Sequence, residues 1–70
     1  MTYYIQFRLC GQDVQGIDVV ARNKVEAYDK AVYEIIPAKY GEMPYSAWVH
    51  SVTYSNGKYR RFKTWEGLPY

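Results

Sequence analysis

The sequence contains only one cysteine, Cys10, and one histidine, His50, among its 70 residues. A single cysteine cannot form an internal disulfide, which favours a reducing compartment. A metal site needs about four ligands, and these two residues with scattered carboxylates do not supply them. A Cys-His nucleophile pair would need an oxyanion-binding glycine motif, which is missing. We therefore expect no catalytic residues, no metal and no cofactor, with Cys10 as a packing residue and His50 half-buried on a strand.

Long apolar runs, phosphate-binding loops and signal sequences are also missing. No apolar run approaches the ~18 residues of a membrane span. Gly11 and Gly16 lack the spacing and the following lysine of a phosphate-binding loop. The start of the chain lacks the basic residues and the small-residue cleavage site of a signal peptide. These absences predict a cytoplasmic protein that does not act at a membrane.

Acidic residues are absent from residues 46–65, which therefore carry a formal charge of +4. The charge comes from Lys58, Arg60, Arg61 and Lys63. The rest of the chain has five basic and seven acidic residues, a formal charge of −2, and the whole chain has a net charge of +2. This asymmetry predicts a basic surface near the end of the sequence.

Residues 24–36 have a clear helical period, with the apolar side chains on one side at about 100° per residue. That side contains Ala27, Tyr28, Ala31, Val32, Ile35 and Ile36. Asn23 is expected to cap the first turn through its side-chain oxygen, with Glu26 reaching back from the third position. Pro37 is expected to end the helix, because the residue before a proline is pushed away from helical angles.

Four segments have the alternation of apolar and polar residues that is typical of strands. They are residues 3–10, 14–21, 46–54 and 58–65. The sequence thus predicts an α+β fold, a single β-β-α-β-β domain over residues 1–70 with a mostly antiparallel four-stranded sheet and one helix packed on one face.

The core is expected to form between the helix and the inward residues of the strands. Ile5, Phe7, Val19, Ala31 and Ile35 should meet there, with Tyr3 and Leu9 on the same side of the first strand. The loop 37–45, with two prolines and a glycine, is expected to be irregular. Its tyrosines, Tyr40 and Tyr45, are expected to fold back as packing. Gly16 predicts either a bulge or a close approach of another group to the backbone.

The last two strands can pair in two registers. A two-residue turn at Asn56-Gly57 is the strongest short hairpin signal, and it pairs Tyr54 with Tyr59 and leaves Phe62 on the face opposite the aromatic and basic residues. A three-residue turn with a bulge at Gly57 moves every side chain of the last strand to the other face. Burial favours this second register, because it places Trp48, Val52 and Phe62 together.

Basic and aromatic residues alternate in the last strand, and we call residues 58–65 the basic strip. This composition suits stacking on nucleic-acid bases and pairing with phosphates. It equally suits a hot spot for an acidic protein surface, or a solvated sheet edge on which charges discourage aggregation. Under the favoured register Tyr59, Arg61 and Lys63 share the uncovered sheet face, and Arg60 reaches round the edge.

The residues that we expect to contact a partner are those of the strip and of the uncovered face, together with one helix residue. They are Tyr4, Arg8, Tyr33, Tyr59, Arg60, Arg61 and Lys63. Tyr33 falls among the charged residues of the helix, where it either lies over neighbouring side chains or contacts a partner. The uncovered face is also expected to support a two-fold homodimer.

The chain resembles the small single-domain proteins that phages and other mobile elements encode to interfere with host defences, including anti-CRISPR proteins. The resemblance lies in its size, its tyrosine-rich β-β-α-β-β layout and the run VVARNKVEAYDKA at 19–31. It implies a stoichiometric inhibitor in the host cytoplasm that binds a nuclease complex, a CRISPR effector complex included, and blocks its engagement of nucleic acid or its activity. The alternatives are a small nucleic-acid-binding protein that uses the basic strip and, third, a small enzyme or toxin.

Overall fold

The computed structural model describes residues 1–63 and 65–66. The strands are β1 (Thr2–Arg8), β2 (Val14–Val20), β3 (Ser46–Thr53) and β4 (Tyr59–Arg61). One continuous helix lies between β2 and β3 and has three segments: α1 (Lys24–Lys30), a π-helical segment (Ala31–Ile35) and α2 (Ile36–Tyr40). The sheet order is β2-β1-β3-β4, with every neighbouring pair antiparallel. The predicted α+β class and the β-β-α-β-β order are therefore confirmed.

The helix begins as the sequence predicts. The Asn23 side-chain oxygen accepts a hydrogen bond from the backbone N–H of Glu26 at 2.8 Å, which satisfies one of the free donors of the first turn. The Glu26 carboxylate reaches back one residue beyond the cap, to the guanidinium of Arg22 at 2.9 Å. The hydrogen bond from Arg22 lowers the pKa of Glu26.

The prediction that Pro37 ends the helix is wrong. The helix continues to Tyr40 and ends at Gly41, which has a left-handed backbone. Ile36, the residue before the proline, keeps helical angles, with φ −63° and ψ −48°, although this position is usually pushed away from them. A proline inside an α-helix also lacks the N–H donor, and its ring meets the carbonyl four residues earlier. Here the five residues before Ile36 form a π-helical segment, in which each N–H bonds to the carbonyl five residues back. This wider turn accommodates Pro37 at the start of α2, and loop 37–45 is correspondingly shorter than predicted.

The core lies where β1 passes under the helix. Tyr3, Ile5, Phe7 and Leu9 are all buried, as their alternation predicts. The helix contributes Ala27, Ala31 and Ile36, which are fully buried, and Val32. Two alanines on the inner side allow the helix to lie close to the sheet. Val19 is buried with them, and Ile35 packs against this core while remaining half-buried.

The expectations for three side chains outside the main core had mixed outcomes. Tyr40 folds back, and its ring centroid lies 5.5 Å from that of Phe7. Tyr45 does not fold back: its backbone N–H donates to the Arg8 carbonyl at 2.7 Å, but its side chain is 81% exposed. Cys10 is also exposed rather than packed, since β1 ends at Arg8 and the chain turns before Cys10 can re-enter the sheet.

A β-bulge interrupts the pairing of β1 with β3. Tyr4 pairs with Ser51, but Ile5 pairs with Val49, so His50 has no counterpart on β1. A bulge inserts one residue into one strand and shifts the alternation of the side chains beyond it. Val49 and Val52 both enter the core as a result. The prediction that Trp48 and Val52 share a face is therefore wrong.

The favoured register of the last hairpin is confirmed. Val52 pairs with Arg60 and Thr53 with Tyr59, and the Tyr54 N–H bonds to the Lys58 carbonyl at 2.8 Å. The turn therefore has three residues, and Gly57 at its end has a φ of 87°, which suits glycine. Strand β4 ends at Arg61, short of the predicted residue 65, and residue 64 lies outside the described residues.

Replacing Phe7 with alanine tests the placement of the core. Phe7 is completely buried, with a relative exposure of 0%. Replacing its ring with a methyl group leaves a cavity between sheet and helix. We expect Phe7→Ala to lower the free energy of unfolding by about 3–5 kcal/mol, measured by urea unfolding. Tyr45→Ala is the control and should unfold like the parent, because its ring is 81% exposed. Equal stability of the Phe7 variant and the parent would contradict this core.

Candidate functional site on the open sheet face

The helix covers one face of the sheet, and no helix or strand of the described residues covers the other. We call this other side the open face. On β1 it carries Tyr4, Gln6 and Arg8, which alternate with the buried residues. Across the sheet it carries Trp48 of β3 and Arg61 of β4, since Gln6 pairs with Trp48 and Arg61 pairs with Ser51.

Tyr4 is held in place between two strands. A Cβ atom added at Gly16 would lie 2.1 Å from the Tyr4 hydroxyl, so the tyrosine ring occupies the space that a side chain at position 16 would take. The sequence predicted either a bulge or a close approach at Gly16, and the structure shows a close approach by the Tyr4 ring. On its other side the Tyr4 ring meets the His50 ring edge to face, with centroids 5.5 Å apart and planes at 89°. This geometry is favourable for two aromatic rings.

Trp48 and His50 are also fixed by hydrogen bonds. The Trp48 indole N–H donates to the Gln6 side-chain oxygen at 3.0 Å. The Nδ1 atom of His50 lies 3.1 Å from the Ser51 hydroxyl. His50 is half-buried on its strand, as the sequence predicts. The rings of Tyr4, Trp48 and His50 therefore have defined orientations, and binding would cost them little conformational entropy.

An open groove of about 410 Å³ runs along the end of β4, where β4 leaves β3. It is lined by Gln6, Trp48, Val49, His50, Arg61, Phe62 and Lys63. Two of these residues are cations, three are aromatic and none is acidic. No ion pair of Arg61 is found among the described residues. The ammonium group of Lys63 lies 5.4 Å from the Trp65 ring, a distance at which the ring attracts a cation.

The other face of β4 is occupied by a cluster around Phe62. The guanidinium of Arg60 lies 5.1 Å from the Phe62 ring and forms a 2.7 Å ion pair with Glu66. The Lys24 ammonium lies 5.6 Å from the same ring and donates to the Glu66 carbonyl. Because Lys24 starts the helix, this cluster fastens the end of the hairpin to the helix.

Glu66 is the acceptor that holds the cluster together. Its carboxylate accepts the backbone N–H of Lys63 at 3.1 Å as well as the Arg60 guanidinium. The hydrogen bond from Lys63 and the charge of Arg60 lower the pKa of Glu66 below its ordinary value of 4.5. The carboxylate is therefore ionised at neutral pH, as its ion pair with Arg60 requires.

The structure brings most of the predicted contact residues to one side and leaves two elsewhere. Tyr4, Arg8, Tyr59 and Arg61 lie on the open face, and Lys63 lines its groove. Arg60 lies on the helix side of β4, paired with Glu66. Tyr33 is 61% exposed on the helix, on the opposite side of the molecule from the groove. It points away from the apolar stripe, as its position in the sequence predicts.

Sequence reasoning missed Gln6, Trp48 and His50 as residues of the groove. The β-bulge is the reason for Trp48 and His50, because without it Trp48 would share a face with Val52; Gln6 follows from the alternation of β1 but was not counted as a contact residue. The signal in the sequence is the spacing of the apolar residues Ala47, Val49 and Val52, in which a step of two is followed by a step of three. A strict strand alternates with a step of two only.

A pH series on the Glu66→Gln variant tests the cluster at the end of the hairpin. The folded pKa of Glu66 is lowered, so its carboxylate stabilises the fold above its ordinary pKa and this contribution is lost as the pH falls through the lowered value. We expect the parent to melt at a higher temperature than the variant at pH 6, and the difference to shrink as the pH falls from 4.5 through the lowered pKa of Glu66. A constant difference between pH 3 and pH 7 would contradict the role of this carboxylate.

A double-mutant cycle tests the packing of the Tyr4 ring against Gly16. In the parent, Gly16→Ala must displace the Tyr4 ring, since the new Cβ would overlap it. In a Tyr4→Ala background the same change meets no ring and should stabilise the strand by about 0.5–1 kcal/mol. We expect a coupling free energy of about 1 kcal/mol in urea unfolding. Additive effects of the two changes would mean that Tyr4 does not rest on Gly16.

Residues 1–63 and 65–66 offer neither a cluster of metal ligands nor a membrane-spanning helix. Those residues contain no group of three or more His, Cys, Asp or Glu side chains that could hold a metal ion. None of the helical segments that they form is long and apolar enough to span a membrane.

Comparisons of the chain with protein-family models, with curated proteins and with solved structures found no match.

Proposed function

We propose that this protein is a non-enzymatic binding protein that docks its open face onto a protein partner. The observation that carries the proposal is the combination of fixed aromatic rings with cations that form no ion pair among the described residues, on a sheet face that the helix leaves uncovered. Tyr4, Trp48 and His50 supply the rings, and Arg61 and Lys63 supply the positive charge. Trp, Tyr and Arg are the residues that dominate binding energy at protein interfaces.

The basic strip has residues on both faces of β4, but only those on the open face are available to a partner. Arg60 is committed to Glu66 and Phe62, so its charge is neutralised within the chain. Arg61, one residue on, faces the groove and has its guanidinium available for a partner carboxylate. An arginine can bind a carboxylate through two parallel hydrogen bonds, which adds geometric specificity.

The resemblance to phage-encoded host-defence inhibitors suggests what the binding achieves. We propose a stoichiometric inhibitor of the anti-CRISPR kind, which binds a host nuclease complex and blocks its engagement of nucleic acid or its activity. The basic open face does not resemble the acidic surface of a DNA mimic. It complements an acidic surface of the partner, and charge complementarity of this kind speeds association and selects the partner.

Nucleic-acid binding is the second candidate, because rings and cations in one groove also suit a base and its phosphate. The two functions differ in their dependence on salt. Each phosphate contact releases counterions, so the affinity for a nucleic acid falls steeply with salt concentration. Affinity capture with and without nuclease treatment, followed by titrations at two salt concentrations, separates them. Capture that disappears with nuclease would favour the second candidate.

The central test of the proposed surface is the Arg61→Glu variant. Its guanidinium is exposed and pairs with no acid of the described residues, so the melting temperature should stay close to that of the parent. Binding to the captured partner should weaken by ~2 kcal/mol or more if Arg61 is a hot spot, measured by calorimetric titration.

Two variants with the same change of charge serve as controls. Lys58→Glu lies at the turn of the same hairpin, outside the groove, and should leave the affinity almost unchanged. Arg60→Glu breaks the ion pair with Glu66, so it should reduce stability more than affinity. Equal, small losses for all three variants would mean that the strip only increases solubility, and the binding surface would then move to the helix side around Tyr33.

A further inference from the structure

We infer that the groove at the end of β4 receives an acidic side chain of the protein partner, with the neighbouring flat or apolar group of that partner resting on Trp48. This inference rests on the proposed function and names the chemistry of the contact. The groove has a volume of about 410 Å³, within the range of ~300–1,000 Å³ that is usual for sites that enclose small groups. It is therefore large enough for one or two side chains.

Arg61, Lys63 and Gln6 present hydrogen-bond donors and positive charge to the groove, and His50 is the one lining side chain whose ring can either donate or accept. Arg61 and Lys63 can only donate. Gln6 has both kinds of group, but its oxygen is already bonded to the Trp48 indole N–H, which leaves its NH₂ group to face a ligand. With no acidic residue in the lining, the groove selects a group that accepts hydrogen bonds and carries negative charge.

The cations favour a local anion over the backbone of a nucleic acid. A groove that follows a nucleic-acid strand needs positive charges along its length. Of the four cations in the basic strip, only Arg61 and Lys63 line the groove. Arg60 is on the opposite face with Glu66, and Lys58 is at the turn. Two cations in one groove match one or two acidic side chains rather than a row of phosphates.

The apolar part of the lining defines what should accompany the carboxylate. Trp48 is half-buried and fixed by its hydrogen bond to Gln6. Its ring is the main apolar surface that the groove offers, because Val49 is buried in the core and the Phe62 ring lies on the helix side. A ring or an apolar side chain next to the partner's carboxylate would exclude water from the ion pair between that carboxylate and Arg61, and the lower dielectric would strengthen the ion pair. An acidic segment that contains an aromatic residue is thus the best match.

An NMR titration of the ¹⁵N-labelled full chain tests this inference. The probe is an acetylated and amidated pentapeptide, a tyrosine flanked by two glutamates on each side, and the matched probe has glutamines in place of the glutamates. We expect the acidic peptide to shift the Trp48 indole signal and the amide signals of Arg61, Phe62 and Lys63. The glutamine peptide should bind at least about tenfold more weakly, because it lacks the charge.

Variants and a third probe make each outcome decisive. Arg61→Glu should abolish the shifts, and Lys58→Glu should leave the affinity for the peptide within about twofold of that of the parent, since Lys58 does not line the groove and surface charges act weakly over distance. Equal binding of the two peptides, no shifts at millimolar peptide, or equal effects of the two variants would overturn the inference. Tighter binding of an oligothymidine to the same residues would also overturn it, in favour of nucleic acid.

The result separates the inference from the proposed function. If the captured partner binds the parent but the acidic peptide does not shift the groove signals, the inference fails and the proposed function stands. If no protein partner is captured in the presence of nuclease, the proposed function fails regardless of the peptide.

Discussion

The bulge at His50 is the constraint on which both faces of the sheet depend. Strand β3 must deliver Val49 and Val52 to the same core, and their separation of three residues is incompatible with strict alternation. The extra residue at His50 resolves this conflict. It also places His50 against Tyr4 and leaves Trp48 on the open face. The packing requirement of the core therefore determines which rings a partner can reach.

The open face and the helix side of β4 have different tasks. On the open face the Tyr4 ring packs over Gly16 and edge to face against the His50 ring, so this surface is preformed. On the helix side, Glu66 and Lys24 fasten a strand of only three residues. Three residues of pairing provide little stability by themselves, so the Phe62 cluster keeps Arg61 and Lys63 beside the groove.

Local pattern was sufficient to predict β1, because every second residue from Tyr3 to Leu9 is buried and the strand has no irregularity of its own. It was also sufficient for the Asn23 cap and for the hairpin register, in which burial of Phe62 outweighed the preference of Asn-Gly for a shorter turn. The end of the helix could not be predicted from Pro37 alone. The rule for proline assumes a regular α-helix, and the π-helical segment before it removes that assumption.

Regular alternation also made part of the candidate site predictable, but not the groove. Tyr4, Arg8, Tyr59 and Arg61 follow from alternation, and they lie on the open face as expected. The groove itself depends on where β4 separates from β3 and on the bulge, and both are properties of strands in contact rather than of either segment. Arg60 illustrates the limit, since its pairing with Glu66 joins residues whose proximity depends on how the chain turns after β4.

The central claim is that the open face, and not the helix, contacts the partner. Cross-saturation NMR on the labelled chain in complex with the captured partner tests it most directly, because it reports which protons of the chain lie against the partner. The account predicts the strongest saturation at the Trp48 indole and at Tyr4, Arg61 and Lys63, with little at Tyr33. Saturation concentrated at Tyr33 and the exposed side of the helix would contradict it.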